Sequence, residues 1–243
     1  MMIVEKYGGS SLADIQKIQQ VAQGIGDRLR QGHRLVIVVS AQGDTTDLLL
    51  DQLSRLSQDP DPRELAAYLT AGEQMSAALM AIALKNQGIP AISLTGWQTG
   101  LLTDSNYADA RVLSLTKERI QQELHNGRTP VVTGFQGINP QGDITTLGRG
   151  GSDTTAVALA AFLHADRCMI YTDVDGVYDR DPRRYPDAVK YDTIPHQAML
   201  QLAHQGAQVL HHRCIELAIE HNIPIQVLST FHPGPGTLVG GGH

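Results

Sequence analysis

Apolar residues along the chain follow two periods that alternate from beginning to end. Continuous β-branched or aliphatic runs such as Leu35-Val36-Ile37-Val38-Val39 and Val131-Val132-Thr133 suit strands buried on both faces of a parallel sheet. Behind Asp14, a good capping residue, Ile15, Ile18, Val21, Ala22, Ile25 and Leu29 recur at helical spacing. The pattern predicts strands over 3–7, 35–39, 91–94, 131–133, 144–147, 167–171 and 225–228, with a terminal apolar segment at 236–239. Helices are predicted over 15–29, 48–56, 65–85, 116–125 (capped by Thr116), 154–164, 195–203 and 207–220. Strands alternating with helices predict an α/β fold, with a mainly parallel central sheet sandwiched by helices.

Composition narrows the class further. With 243 residues, 42% hydrophobic, 18% charged and only two cysteines, the chain is neither disordered, collagen-like nor a disulfide scaffold. No linker or repeat divides it, so one domain over 1–239 is expected, with 240–243 as a frayed tail. Nineteen Lys and Arg against 25 Asp and Glu give a net charge of −6, which argues against nucleic acid as a main partner. Cys168 and Cys214 lack metal-ligand or CxxC spacing and read as reduced thiols of a cytoplasmic protein. The start, MMIVEKYGGSS, lacks the apolar core of a signal peptide, and no apolar run has the length of a membrane span. No membrane partner is expected.

Four loops, each read as following a strand of one sheet, carry the candidate chemistry. In Lys6-Tyr7-Gly8-Gly9-Ser10-Ser11 the glycines suit a plain turn or an anion-binding loop, and Lys6 adds a cation at the strand end. The string fits neither GxxxxGK[ST] nor GxGxxG. Residues 40–46 offer hydroxyls, as a binding loop or a helix cap. In Gly148-Arg149-Gly150-Gly151-Ser152-Asp153-Thr154-Thr155 the Arg149 fork suits a carboxylate, while Asp153 or Thr154 could simply cap a helix. The loop 172–183 packs four Asp, two Arg and Tyr178 into a solvated turn or a place for a nucleotide and its Mg²⁺. Glu73 lies among small helical neighbours, Ala71 and Gly72, that would let a ligand approach. His211 and His212, adjacent on a predicted helix, diverge and make no metal cluster, and no GxSxG elbow is present.

Taken together, KYGGSS, VSAQGDTTD, GEQ, TTLGRGGSDTTA and YTDVDGVY resemble the aspartokinases of the amino acid kinase superfamily, over residues 2–239. The resemblance implies Mg-ATP-dependent phosphorylation of the L-aspartate side-chain carboxylate. A carboxylate is already ionised at neutral pH, so such a transfer needs positioning and charge neutralisation rather than a general base. Carried over, Lys6, Gly9 and Asp153 would be catalytic. Ser40, Thr46, Glu73, Arg149, Gly151 and Ser152 would bind the acceptor, with Arg149 on its α-carboxylate and Glu73 on its α-ammonium. Lys6, Gly8, Gly9, Ser10, Thr172, Asp173, Tyr178, Arg183 and Gln208 would bind ATP.

Two departures stand out. Gln208 occupies the place of a lysine that reaches the ATP phosphates in the family, so Arg213 or Arg183 is expected to substitute, or turnover to be slow. That leaves a weakly active or non-catalytic binding homologue, or a kinase of another acidic acceptor, as alternatives. Nothing follows the Pro-Gly-Thr-Leu-Val segment but four residues, so the ACT regulatory domains of the family are expected to be absent and any regulation to reside in a separate subunit. The family also implies a homodimer.

Overall fold

The computed structural model describes residues 1–182 and 184–241. In chain order the elements begin with β1 (Met2–Tyr7), α1 (Ile15–Arg30), β2 (Arg34–Val39), α2 (Thr45–Ser54), α3 (Pro62–Leu69), α4 (Ala71–Asn86) and β3 (Ala91–Leu94). They continue with β4 (Leu101–Thr103), β5 (Val112–Leu115), α5 (Glu118–His125), β6 (Thr129–Thr133), β7 (Gln136–Ile138), β8 (Ile144–Thr146) and α6 (Gly151–Phe162). The last are β9 (Arg167–Thr172), β10 (Thr193–Ile194), α7 (His196–His204), α8 (His212–Glu220), β11 (Ile225–Ser229) and β12 (Thr237–Val239).

Eight strands form the main sheet in the order β10-β12-β11-β9-β1-β2-β6-β3, parallel throughout except where β12 runs against β11. Its central strands are the β-branched runs, and β2 is buried from Leu35 to Val39 as expected of a strand covered on both faces. On one face α1 and α4 pack Ile18, Val21, Ile25, Met80 and Leu84 against Ile3, Leu35 and Ile37. On the other, α6 and α8 pack Val157, Leu159, Cys214 and Ile215 against Val4, Val36 and Ile170. Every residue of α6 from Gly151 to Ala161 is buried, which explains the alanine-rich, all-round apolar sequence that follows its polar first turn. Asp14 caps α1, its side chain accepting from the Lys17 N–H at 2.8 Å.

The expected strand over 144–147 is β8, but it belongs to a second sheet, β5-β4-β7-β8, whose other three strands are only three or four residues long and are not marked by a period of their own. It overturns the expectation that all four loops leave one sheet: the glycine loop 148–153 follows β8 of the small sheet. The expected helix over 65–85 is two helices. Thr70 stands at the break, its hydroxyl bonding back to the Ala67 carbonyl and its own carbonyl taken by the Gln136 side chain at 3.1 Å. Nor does Thr116 cap the next helix. That helix starts at Glu118 without a side-chain cap, and the Thr116 hydroxyl reaches toward the Gly100 carbonyl at 3.5 Å. α6 starts three residues earlier than expected, and α8 starts at His212, leaving 207–211 as a loop. His211 therefore sits ahead of α8 in extended backbone, and its ring lies 4.2 Å from that of His212 rather than diverging from it. The expected frayed tail is only partly so: Gly240 is buried and donates to the Ile194 carbonyl at 2.9 Å, while residues 242–243 lie outside the described residues.

Candidate active site

One cavity of about 580 Å³, within the usual range for a small-molecule site, opens where the carboxyl ends of β1 and β2 meet the loop after β8. Lys6 projects from the end of β1 towards α6, and its Nζ lies 2.6 Å from Asp153 Oδ1, both side chains being 11% exposed. The contact is an ion pair without an aligned hydrogen bond on Oδ1. Asp153 occupies the first turn of α6 and caps nothing. The cap position belongs to Gly150, while the Thr154 hydroxyl donates to the Gly150 carbonyl at 3.2 Å. Gly150 has φ +68°, and a Cβ there would lie 2.3 Å from the His211 Cβ, so the turn that delivers Arg149 to the cavity requires glycine.

Arg213 holds this loop from below. It donates to the Leu147 carbonyl at 2.9 Å and the Ala110 carbonyl at 2.7 Å, and it pairs with Asp109. Those three acceptors engage its guanidinium on the loop side of the cavity. Arg149, by contrast, is exposed on the cavity wall and pairs with no carboxylate of the described residues.

Across the cavity, Glu73 stands in the first turn of α4 and is 4% exposed. Its Oε1 accepts from the Ala41 N–H at 3.0 Å, while Oε2 is buried without a partner. Burial pushes its carboxyl up to about 7, opposed only by backbone hydrogen bonds such as that from Ala41. The preceding Gly72 lets the β2–α2 loop settle on the helix, since a Cβ there would lie 2.9 Å from that of Ala41. Gly9 serves the same loop from the other side: a Cβ would come within 2.8 Å of the Ala41 carbonyl.

Of the acceptor-side residues picked from sequence, Ser40, Thr46, Glu73, Arg149, Gly151 and Ser152 all line this cavity, together with Lys6, Gly9 and Asp153. Of the nucleotide set, Lys6 and Gly9 line it and the other described members do not. Gly8 and Ser10 lie beside it on the glycine turn, the Gly8 N–H donating to the Tyr171 carbonyl at 3.3 Å. Thr172 and Asp173 follow at the end of β9, with the Thr172 hydroxyl donating to Asp173 at 3.1 Å. Tyr178 donates to Asp175 at 2.8 Å, Gln208 is exposed in the α7–α8 loop, and Arg183 lies outside the described residues.

Sequence reading missed Leu50, Leu65, Ala66, Leu69, Ala108 and Phe135, which line the cavity's apolar side. Leucines and alanines on helices carry no signal that separates lining from core. Phe135 had none either, although its backbone is held at φ +71°, a conformation non-glycine residues seldom adopt.

The amino acid kinase family profile matches residues 1–229. The chain belongs to the amino acid kinase family. Within it, this amino acid kinase is 50% identical over 241 residues to the aspartokinase of Mycobacterium tuberculosis, covering 99% of this chain and 57% of that protein. Aspartate kinase from Synechocystis superposes with a TM-score of 0.88 at 45% identity, over 100% of this chain and 40% of that one. E. coli aspartokinase III, solved with aspartate and ADP in its R-state, superposes with a TM-score of 0.90 at 27% identity, over 100% of this chain and 65% of that one. The chain thus spans little more than half the length of the curated relatives it matches.

Proposed function

We propose that this amino acid kinase transfers the γ-phosphoryl group of ATP to the side-chain carboxylate of L-aspartate, giving 4-phospho-L-aspartate and ADP. One observation carries the reading: the unpaired Arg149 guanidinium and the half-satisfied Glu73 carboxylate share a cavity with the Lys6–Asp153 pair. An acceptor with both an α-carboxylate and an α-ammonium answers both groups, and its side chain then points towards Lys6. The 50% identity to an aspartokinase supports the same acceptor.

The acceptor carboxylate attacks the γ-phosphorus in line as the bond to the β-bridging oxygen breaks, and no proton moves. Lys6 neutralises charge on the transferred group, and Asp153 keeps its ammonium in place. The glycine turn at Gly8, Gly9 and Ser10 lets the backbone approach the same phosphates, and Thr172, Asp173 and Tyr178 hold the nucleoside side, with Arg183 and Gln208 as further ATP contacts. Among the described residues no group of three or more His, Cys, Asp or Glu side chains could cage a metal. Asp153, a buried carboxylate of the cavity with one oxygen free of hydrogen bonds, is the residue that would hold a Mg²⁺ brought in with ATP, and the ion would neutralise phosphate charge.

The test is incubation with L-aspartate, Mg-ATP and hydroxylamine, which converts the acyl phosphate to aspartyl hydroxamate; no product above a Lys6→Ala control refutes the reading. Gln208, neutral and exposed, favours a second reading: a homologue that binds both ligands and turns them over slowly. In that case Gln208→Lys raises turnover. The aspartokinase resemblance further supports a cytoplasmic homodimer, which light scattering in solution checks.

A further inference from the structure

Behind Lys6 lies a buried polar cluster that takes no part in the cavity. Side chains alternate across a strand, so Lys6 faces α6 while its two neighbours, Glu5 and Tyr7, face α1. Glu5 is wholly buried. Arg28, near the end of α1, grips it with both teeth of its fork, Nε donating to Oε1 at 2.6 Å and Nη2 to Oε2 at 2.9 Å. The same Nη2 donates to the Tyr7 hydroxyl at 2.6 Å, and that hydroxyl donates to Glu5 Oε2 at 2.9 Å. The Tyr7 ring stacks on Tyr171 of β9 at 4.8 Å between centroids, 8° from parallel. Arg28 stands 5.4 Å from the Tyr171 centroid. Both residues flanking Lys6 are thus fixed from behind by one guanidinium, and the fixation extends to the strand that leads into Thr172 and Asp173.

Apolar residues would fill this layer without such a cluster. The same layer is otherwise apolar, with Ile3, Leu35 and Ile37 packed in it, and buried ion pairs are often no more stabilising than apolar residues of the same volume. A planar fork bonded to two residues on one strand supplies something apolar packing does not, a fixed lateral place for the backbone between them. We propose that Arg28, acting through Glu5 and Tyr7, is a positioning residue that sets where the Lys6 ammonium stands against Asp153 and the transferred phosphoryl group. The inference rests on the reading of Lys6 given above.

Arg28→Lys keeps the charge and removes the fork. The first readout needs no turnover: competitive acetylation of Lys6, measured by mass spectrometry against the exposed Lys85. Arg28→Lys is expected to raise Lys6 labelling several-fold as the ammonium leaves Asp153. The second readout is kinetic, with kcat falling about 10- to 100-fold and both KM values nearly unchanged, the range that a misplacement near 1 Å produces. Glu123→Gln is the control, since Glu123 is another buried carboxylate held by two arginines, Arg119 and Arg128, away from the cavity. It lowers Tm and leaves Lys6 labelling and kcat alone.

Unchanged Lys6 labelling in folded Arg28→Lys, or an equal change in Glu123→Gln, overturns the proposal. Should Arg28→Lys fail to fold, Glu5→Gln, which keeps the shape and loses the charge, is read in the same way. A wild-type protein without kinase activity but with the expected shift in labelling refutes the proposed reaction and supports the positioning role.

Discussion

Replacing Glu73 by glutamine removes a carboxylate that the fold holds at a disadvantage. Its pKa is pushed up to about 7, against an ordinary value of 4.5, by burial beside a single aligned donor from another element, the Ala41 N–H. A carboxyl with a raised folded-state pKa contributes its full stability below the unfolded value and loses it as pH climbs towards the folded one. Linkage then gives a cost to the ionised wild type of about 3 kcal/mol above pH 7. Between pH 5 and pH 8 the wild type should lose about 2.5 kcal/mol relative to Glu73→Gln, whose amide oxygen still accepts from Ala41. Urea unfolding of both proteins at the two pH values measures this directly. Because the comparison is made across pH, the cost of the newly unpaired amide nitrogen cancels. An acceptor ammonium beside Glu73 restores the ionised form, so acceptor binding should strengthen with pH: the wild-type acceptor KM at pH 6 is expected to be about tenfold that at pH 8. In Glu73→Gln the KM should be high and flat. Parallel stability curves for the two proteins would refute the assignment of the strain to Glu73, and a flat wild-type KM would refute its contact with the ammonium.

Lys6→Ala should lower kcat about 10²- to 10³-fold, the effect of losing one preorganised electrostatic group, with the nucleotide KM changing far less; hydroxamate formation reports it. Arg149→Lys retains the charge but loses the two-pronged grip, so the acceptor KM should rise at least tenfold, or about 1.4 kcal/mol, while ADP affinity measured by calorimetry stays unchanged. Gly150→Ala combines a left-handed backbone with a clash against His211 and should cost about 1–3 kcal/mol in thermal or urea unfolding.

Most of the main sheet was legible because its strands are long, β-branched and buried on both faces, and because α1 carries both a capping aspartate and a clean apolar stripe. The acceptor side of the site was legible for a related reason. Gly9, Gly72 and Gly150 each answer a close backbone approach, and such requirements leave glycines next to the polar groups they admit. Of the small sheet only β8 was legible, since its other strands, of three or four residues, rest on partners elsewhere in the chain rather than on their own pattern. The break at Thr70 was hidden likewise, because Gln136, which takes its carbonyl, lies far along the sequence. Glu73 could be singled out from its neighbours, but its orphaned oxygen arises only once α4 is packed.

The seam between the two sheets carries a consequence for how acceptor choice is encoded. Lys6 and the glycine turn belong to the main sheet, whereas Arg149 hangs from β8 of the small one, tied down by Arg213. On the proposed reading the acceptor is therefore held from both sides of the seam, its α-carboxylate from the small sheet and its α-ammonium by Glu73 of α4, which packs on the main one. Because the Arg149 loop runs straight into α6, which packs on β1 and carries the Asp153 partner of Lys6, a change in the small sheet's hairpin that moves the carboxylate clamp is felt at the phosphoryl-transfer floor as well.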